Sequence, residues 1–372
     1  MKQSTEKKSI EKRNIAKCKI LDFMLNQGST TKADIAKQLN LSMPTVLSNI
    51  GELTEKGLVM EVGEMESTGG RKARRISLKE DYYYAVGVDI TAHHIGMVLV
   101  NFGGKIIQQQ RVRFDFQTDI AYCRQLAAQI QEFYKDIAAE EKILGIGISL
   151  PGIINEKERV LVKSHALQLE NYSLKMIEQL FSLPVYFEND ANAAMLAENP
   201  RQLGDVVYLS LNNTLGGAVC IDGRLFSGQN CKAGEFGHMI LLPGGKQCYC
   251  GKEGCADAYC AASVLSDNGK RSLDTFMQML GTDADADRQW EEYLENLAML
   301  ISNVRMIFDT DIILGGDVGG YLEKYMMELA EKVMKYNQFD KDVSYLKNCS
   351  YQKEASAVGV AKHFFQLYVN QI

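Results

Sequence analysis

Three thiols fall within eight positions of this chain, in the run Cys248-Tyr249-Cys250-Gly251-Lys252-Glu253-Gly254-Cys255. No other feature restricts its fold as tightly. Ten residues upstream, Ala233-Gly234-Glu235-Phe236-Gly237-His238 ends on a histidine. One imidazole and three thiolates suit tetrahedral zinc, and four protein ligands close the site, so such an ion is structural. The glycines permit the tight loop that three thiolates need. The alternative is a set of reduced cysteines in an apolar loop, and the dense Cys-x-Cys-x4-Cys spacing among polar residues favours metal.

The cysteine total is nine, an odd number, and the opening MKQSTEKKSIEKR has no apolar core behind its charges. A disulfide framework is not expected without an export signal, and the expected location is the cytoplasm. The six other thiols (Cys18, Cys123, Cys220, Cys231, Cys260 and Cys349) read as small core residues. His93, His94, His165 and His363 have no evident partner. No stretch approaches the ~20 apolar residues of a membrane span, so no membrane association is expected.

Charge divides the chain. Residues 1–80 carry a net +5, whereas the whole chain is −6, leaving −11 for the rest. A basic head on an acidic body suits a polyanion partner for the head, although chance asymmetry would look the same.

In the head, Ile15, Cys18, Leu21 and Leu25 recur at helical spacing, and Gly28 ends that helix. Thr31-Lys32-Ala33-Asp34 opens a second helix in the manner of a capping box, with Ile35, Ala36 and Leu39 as its buried stripe. After the turn Asn40-Leu41-Ser42, Ser42 caps a third helix. Pro44 is tolerated in its first turn. Val46, Ile50 and Leu53 face inward and Gly57 supplies the stop. Two helices joined this closely form a helix-turn-helix. Ser42, Pro44, Thr45, Ser48 and Asn49 then lie on the helix that would enter a major groove, where small polar side chains reach base edges. Strands at Leu58 to Val62 and Arg74 to Leu78 flank a loop tipped by Gly69, Gly70, Arg71 and Lys72. This wing adds Arg74 and Arg75, giving four cations for phosphate or a minor groove. A three-helix protein-interaction module with a solvated basic loop is the competing reading.

In the body, strands are expected at Tyr84 to Ile90, Ile95 to Val100, Ile106 to Phe116 and Ile143 to Ser149, with a helix from Ile120 to Ile137. A similar alternation recurs after residue 205, with strands at Val206 to Leu211, Ala218 to Ile221 and Arg224 to Phe226 and a tight turn at Asp222-Gly223. These patterns predict an α/β body of two related lobes, with a ligand cleft between them. A strand runs into the turn Gly145-Ile146-Gly147-Ile148-Ser149-Leu150-Pro151-Gly152, and Glu188-Asn189-Asp190-Ala191-Asn192 marks a strand-to-helix junction. Asn189 and Asp190 side by side can hold adjacent sugar hydroxyls. In a kinase such an aspartate takes the hydroxyl proton. Capping of the following helix explains Asp190 equally well.

The runs GISLPG, ENDANAA, AGEFGHM and CYCGKEGCAD, together with LSMPTV and TGGRK in the head, closely resemble the ROK family of repressors and sugar kinases, in particular its repressor branch. The resemblance covers nearly the whole chain. It implies a winged helix-turn-helix over residues 1–80 and, over residues 81–372, two ribonuclease H-like lobes of the actin and hexokinase type. The zinc loop would span residues 238–255. Carried onto this chain, the resemblance makes Asn189, Asp190, Glu235, His238 and Asp257 the sugar contacts, with Asp257 where the family usually has a glutamate. His238, with Cys248, Cys250 and Cys255, would also hold the metal, which couples ligand occupancy to the zinc loop.

Family kinases open with a glycine-rich Asp-x-Gly-Gly-Thr phosphate loop, and here the equivalent is Asp89-Ile90-Thr91-Ala92-His93-His94. Backbone amides do not readily close around a triphosphate past such side chains. The second phosphate loop reads Asn213-Thr214-Leu215-Gly216-Gly217, and Gly315-Gly316 matches the nucleotide-side motif. The resulting expectation is a dimeric or tetrameric repressor of carbohydrate-utilisation genes, not an enzyme, released from a double-stranded operator by a monosaccharide or derivative. An active ATP-dependent sugar kinase with a fused DNA-binding domain, and a regulator controlled by a protein partner, are the alternatives.

Overall fold

The computed structural model describes residues 2–64, 74–137, 139–198, 203–267 and 269–372, with residues 2–13, 26, 64 and 140 described by backbone alone. The head begins with α1 (Lys2–Gln27), followed by β1 (Thr30–Thr31), α2 (Lys32–Gln38), α3 (Met43–Glu55), β2 (Val59–Glu64) and β3 (Arg74–Leu78). Both expected caps form. Thr31 accepts from the Asp34 N–H at 3.1 Å, and Ser42 accepts from the Thr45 N–H at 3.3 Å. The three strands order β1-β3-β2, which is the winged arrangement.

The inward face of α1 differs from the expected one. Ile15 is 52% exposed; Leu21 is buried as expected, and Ala16, Ile20 and Met24 are buried beside it. The reason is that α1 meets two partners. On one side Lys17 reaches Glu52 of α3 at 2.7 Å. On the other, Cys18 Sγ lies 3.1 Å from the Val369 carbonyl in the last helix of the body, Ala355–Gln371. Ile20, Leu21 and Met24 share one apolar cluster with Phe102, Phe365 and Val369, so the core of the head continues into the body.

The body contains two five-stranded sheets of the same design. In the first, β4 (Tyr84–Ile90), β5 (His94–Asn101) and β6 (Ile106–Arg113) form antiparallel hairpins, and β7 (Ile143–Leu150) pairs parallel with β4. Three short strands not expected from the sequence follow: β8 (Ile153–Asn155), β9 (Val160–Ser164) and β10 (Leu169–Ser173), an antiparallel sheet of their own. The edge strand β11 (Val185–Asn189) then pairs parallel with β7. The second sheet repeats the plan with β12 (Val206–Leu211), β13 (Leu215–Ile221), β14 (Arg224–Leu225), β15 (Asp311–Gly315) and β16 (Leu346–Asn348). The orders β11-β7-β4-β5-β6 and β14-β13-β12-β15-β16 are the same topology written in opposite directions. Several expected ends move: the helix from Ile120 stops at Tyr134, β6 stops at Arg113, and β13 starts at Leu215.

The last helix lies across the first sheet, against the helix Asp190–Ala197 and against α1. A Cβ on Gly359 would fall 1.6 Å from the Ala193 carbonyl, so only glycine allows this contact. Among the described residues no helix is long and apolar enough to cross a membrane.

Candidate functional site

A cavity of about 360 Å³ opens between the lobes where β11 ends. Asn189, Asp190, Glu235 and His238 all line it, brought together from the β11 end and from the loop after β14. Asn189 is the N-cap of the helix Asp190–Ala197, its Oδ1 accepting from the N–H groups of Ala191 and Asn192 at 2.9 and 3.0 Å. Its amide nitrogen donates to the Gly152 carbonyl at 2.9 Å and to Asp190 Oδ1 at 3.0 Å. The capping role is thus played by Asn189, and its amide holds Asp190 in place. Burial pushes the Asp190 carboxyl up to about 6; the Ala191 N–H opposes this and the nearby Glu235 adds to it. Burial also raises Glu235, with Lys232 acting against it.

Asp257 departs from its expected place. It does not line the cavity; it is buried, and its Oδ1 accepts from the Leu215 N–H at 2.6 Å. The short side chain is taken up in pinning the start of β13.

His238, Cys248, Cys250 and Cys255 converge, their donor atoms all within 4.8 Å of one another. Cys250 and Cys255 Sγ are 3.7 Å apart, and Cys248 Sγ is 3.9 Å from His238 Nδ1. This cluster can hold a metal ion. The other ring nitrogen, Nε2, lies 3.4 Å from the Tyr249 hydroxyl and 4.0 Å from Glu235. One imidazole therefore links the cluster to the cavity wall.

Across the cleft, around the turn that follows β4, the side chains are acidic. Asp89 accepts from the Ser149 hydroxyl at 2.8 Å, and its carboxyl is pushed up to about 7 by burial, then by Glu354. Glu354 pairs with Arg111 at 3.0 Å, and its carboxylate lies over Gly96, where a Cβ would meet it at 1.8 Å. Burial raises Asp317 as well, while Arg111 and Lys353 oppose that shift.

In the head, Ser42, Pro44 and Ser48 are exposed on α3 and Thr45 is half-buried. Asn49 is a correction. It is 1% exposed, and its amide donates to the Thr45 carbonyl at 2.8 Å, so it faces the core and not a groove. Leu47, 50% exposed, and Met43 stand on the outer face instead. Helical phase could have shown this, because 46, 49, 50 and 53 share a side and 44, 48 and 51, all exposed, lie opposite. Arg74 pairs with Glu61 at 2.8 Å and Arg75 with Ser29, so both are engaged within the head. The wing-tip residues Gly70, Arg71 and Lys72 lie outside the described residues.

These features define a class: a winged helix-turn-helix joined to a two-lobed body of sugar-kinase type. The model of the ROK family matches residues 85–366, and that of the winged helix-turn-helix DNA-binding domain matches residues 13–60. The chain belongs to the ROK family. It is 26% identical to the xylose repressor of Caldicellulosiruptor bescii over 88% of this chain and 89% of that one. It is 25% identical to the DNA-binding transcriptional dual regulator NagC of Escherichia coli over 64% of this chain and 60% of that one. Its fold matches a ROK family transcriptional regulator, a homologue of the E. coli MLC protein, with a TM-score of 0.72 at 19% identity, covering 97% of this chain and 99% of the other. The ROK hexokinase of Thermus thermophilus matches the body at a TM-score of 0.60 and 26% identity, over 75% of this chain and 96% of the enzyme.

Proposed function

We propose that the chain is a sugar-responsive repressor of carbohydrate-utilisation genes, with residues 1–80 as the DNA-binding domain and 81–372 as the sensor. The observation that carries this reading is the asymmetry of the cleft. One side is a cavity with Asp190, Glu235 and His238 on its wall. The other crowds Asp89, Glu354 and Asp317 around the single guanidinium of Arg111. Asp89 has its counterpart in the phosphate loop of the family's kinases, but Ile90, Thr91, Ala92 and His93 follow it in place of a glycine-rich turn, and backbone amides do not readily close around a triphosphate past such side chains. Sugar binding is kept and phosphoryl transfer is lost. Of the relatives named above, one is a xylose repressor and the other a DNA-binding transcriptional dual regulator, which supports a regulator with a sugar as effector.

Asp190 Oδ1 is engaged by the Asn189 amide and the Ala191 N–H, which leaves Oδ2 for a ligand hydroxyl. Glu235 and the His238 ring supply further contacts, and Asn189 positions the group. Asp257 acts through the β13 turn, not by touching sugar.

Zinc fits the cluster. Bonds of about 2.3 Å from a tetrahedral ion to sulfur place sulfurs about 3.8 Å apart, and Cys250 and Cys255 are 3.7 Å apart. His238, Cys248, Cys250 and Cys255 would hold the ion, which supplies a structural cross-link and no open position. In a cytoplasmic dimer or tetramer, two α3 helices would read half-sites about one DNA turn apart.

The test is fluorescence anisotropy on DNA upstream of the protein's own gene, at fixed salt, with a panel of monosaccharides, alongside an ADP-release assay on the same panel. Binding that one sugar reverses, without ADP release, is the expected result. Robust turnover overturns the repressor-only reading. Binding that no sugar changes, with a protein retained in pull-down, favours control by a partner.

A further inference from the structure

Resting on that sugar reading, we propose that the cavity is the inner half of a two-part site, and that the effector is a neutral glycoside or oligosaccharide whose second ring lies outside it. A second cavity of about 400 Å³ adjoins the first. Lys163, Ser164, His165, Thr214 and Tyr249 line both, so the two share a wall. The outer one runs on over Gln168 and Glu170 at the β9–β10 turn. The inner cavity alone lies near the lower end of small-ligand sites, enough for one ring, and the outer groove continues it.

The shared wall is aromatic. Tyr249 lies 5.6 Å from His165 and 5.3 Å from His238, centroid to centroid, and His165 is 6.0 Å from His238. His165 follows β9 on the first lobe, whereas Tyr249 belongs to the metal loop that packs on the second. Tyr249 is half-exposed, and its backbone is held between Cys248 and Cys250. A ring with an apolar body and a polar tip, rigidly mounted at a cavity mouth, suits the face of a second sugar.

Charge decides between a second sugar and a phosphate. Lys163 and Glu170 are direct cross-strand partners in the β9–β10 register. Opposite charges so placed offset each other, and the groove offers no unopposed cation to a phosphate. Gln168 and Thr214 add neutral donors and acceptors for hydroxyls.

Calorimetry on the full-length, metal-loaded protein tests this with matched probes: xylose and xylobiose, glucose and cellobiose, N-acetylglucosamine and its β1,4-linked dimer. The expected result is one pair in which the disaccharide binds at least tenfold more tightly than its monosaccharide. Glu170→Ala and Gln168→Asn, at residues that line the outer groove and not the inner cavity, should each reduce that advantage and leave the monosaccharide unchanged, while Tyr249→Phe should keep it. Gln168 and Glu170 are both exposed, so these variants should fold, and asparagine tolerates the left-handed backbone at position 168. A monosaccharide that binds as tightly as its dimer overturns the outer subsite and leaves the sugar reading intact. Equal weakening of both sugars by Glu170→Ala overturns the subsite too. If neither member of any pair binds, the sugar reading itself falls.

Discussion

Tyr186 and His363 stack face to face, with ring centroids 3.6 Å apart and planes within 4° of parallel. The pair joins the cavity to the head. The Tyr186 hydroxyl donates to Glu188 Oε2 at 2.5 Å, and Glu188 lines the cavity and accepts from the Asn189 N–H at 2.9 Å through its other oxygen. His363 lies on the last helix, whose Phe365 and Val369 share an apolar cluster with Ile20, Leu21 and Met24 of α1. A shift of Glu188 on sugar binding is thus passed through rigid, packed groups to the helix that supports α3. His363→Ala should leave the affinities for sugar and for operator each within about threefold of wild type. Release of DNA by sugar should fall from the usual allosteric range of roughly 5- to 150-fold to nearly none. Anisotropy titrations with and without sugar measure this. Undiminished release would show that coupling runs elsewhere.

Metal removal should act on the sensor before the head. The cluster ties His238 to a loop that has little other regular structure, and the same ring lines the cavity. Cys250→Ser should lose the ion by elemental analysis and lower the melting temperature, because binding free energy at such a site is folding free energy. Sugar affinity should fall with it, since a metal bond would hold the imidazole more firmly than the Tyr249 hydroxyl at 3.4 Å and Glu235 at 4.0 Å do. A variant without the ion that melts and binds sugar like wild type would show the cluster to be reduced cysteines.

Local signals were legible in the sequence and distant ones only in part. Thr31 and Ser42 were readable as caps because a cap needs only its own next three residues. The twofold repeat of the body could be seen in the first three strands of each lobe, which are joined by hairpins. Strands β8 to β10 were missed because each is three to five residues long, too short for an alternation to stand out. Asn49 is polar like its exposed neighbour Ser48, but its phase on the helix puts it on the side of Val46 and Leu53, in the core. Asp257 was assigned by its position in a motif, but one methylene fewer leaves its carboxylate on the Leu215 N–H. The acidic character of the far side of the cleft needed the fold itself, since Arg111 and Glu354 are 243 residues apart.

On α3, Ser48→Ala should weaken operator binding by about 1 kcal/mol, the usual worth of one hydrogen bond. Asn49→Ala should instead lower stability by a similar amount, about 1 kcal/mol, and leave base preference unchanged, because its amide serves the Thr45 carbonyl. Replacing Arg71 and Lys72 together by alanine should flatten the slope of log affinity against log salt by roughly 2. A loss of base preference in the Asn49 variant would return that residue to the groove.

The acidic side of the cleft should show itself in the pH dependence of stability. Asp89 titrates near 3.8 without its surroundings and near 7 in the folded protein. Burial is the main cause, with Glu354 and Asp190 adding to it and the Ser149 hydroxyl and Arg111 opposing. A raised carboxyl favours the folded state only while it holds its proton. Its contribution is complete below about pH 4 and is lost as the pH rises through 7. Asp89→Asn removes the titration and keeps an oxygen for the Ser149 hydroxyl. The variant should match wild type at pH 4 and exceed its stability by roughly 2 kcal/mol or more at pH 8, one pKa unit being worth about 1.4 kcal/mol. Denaturant unfolding of both proteins from pH 4 to 8 gives the difference directly. A gap that stays constant with pH would mean that Asp89 is already ionised in the fold and that burial does not hold its proton.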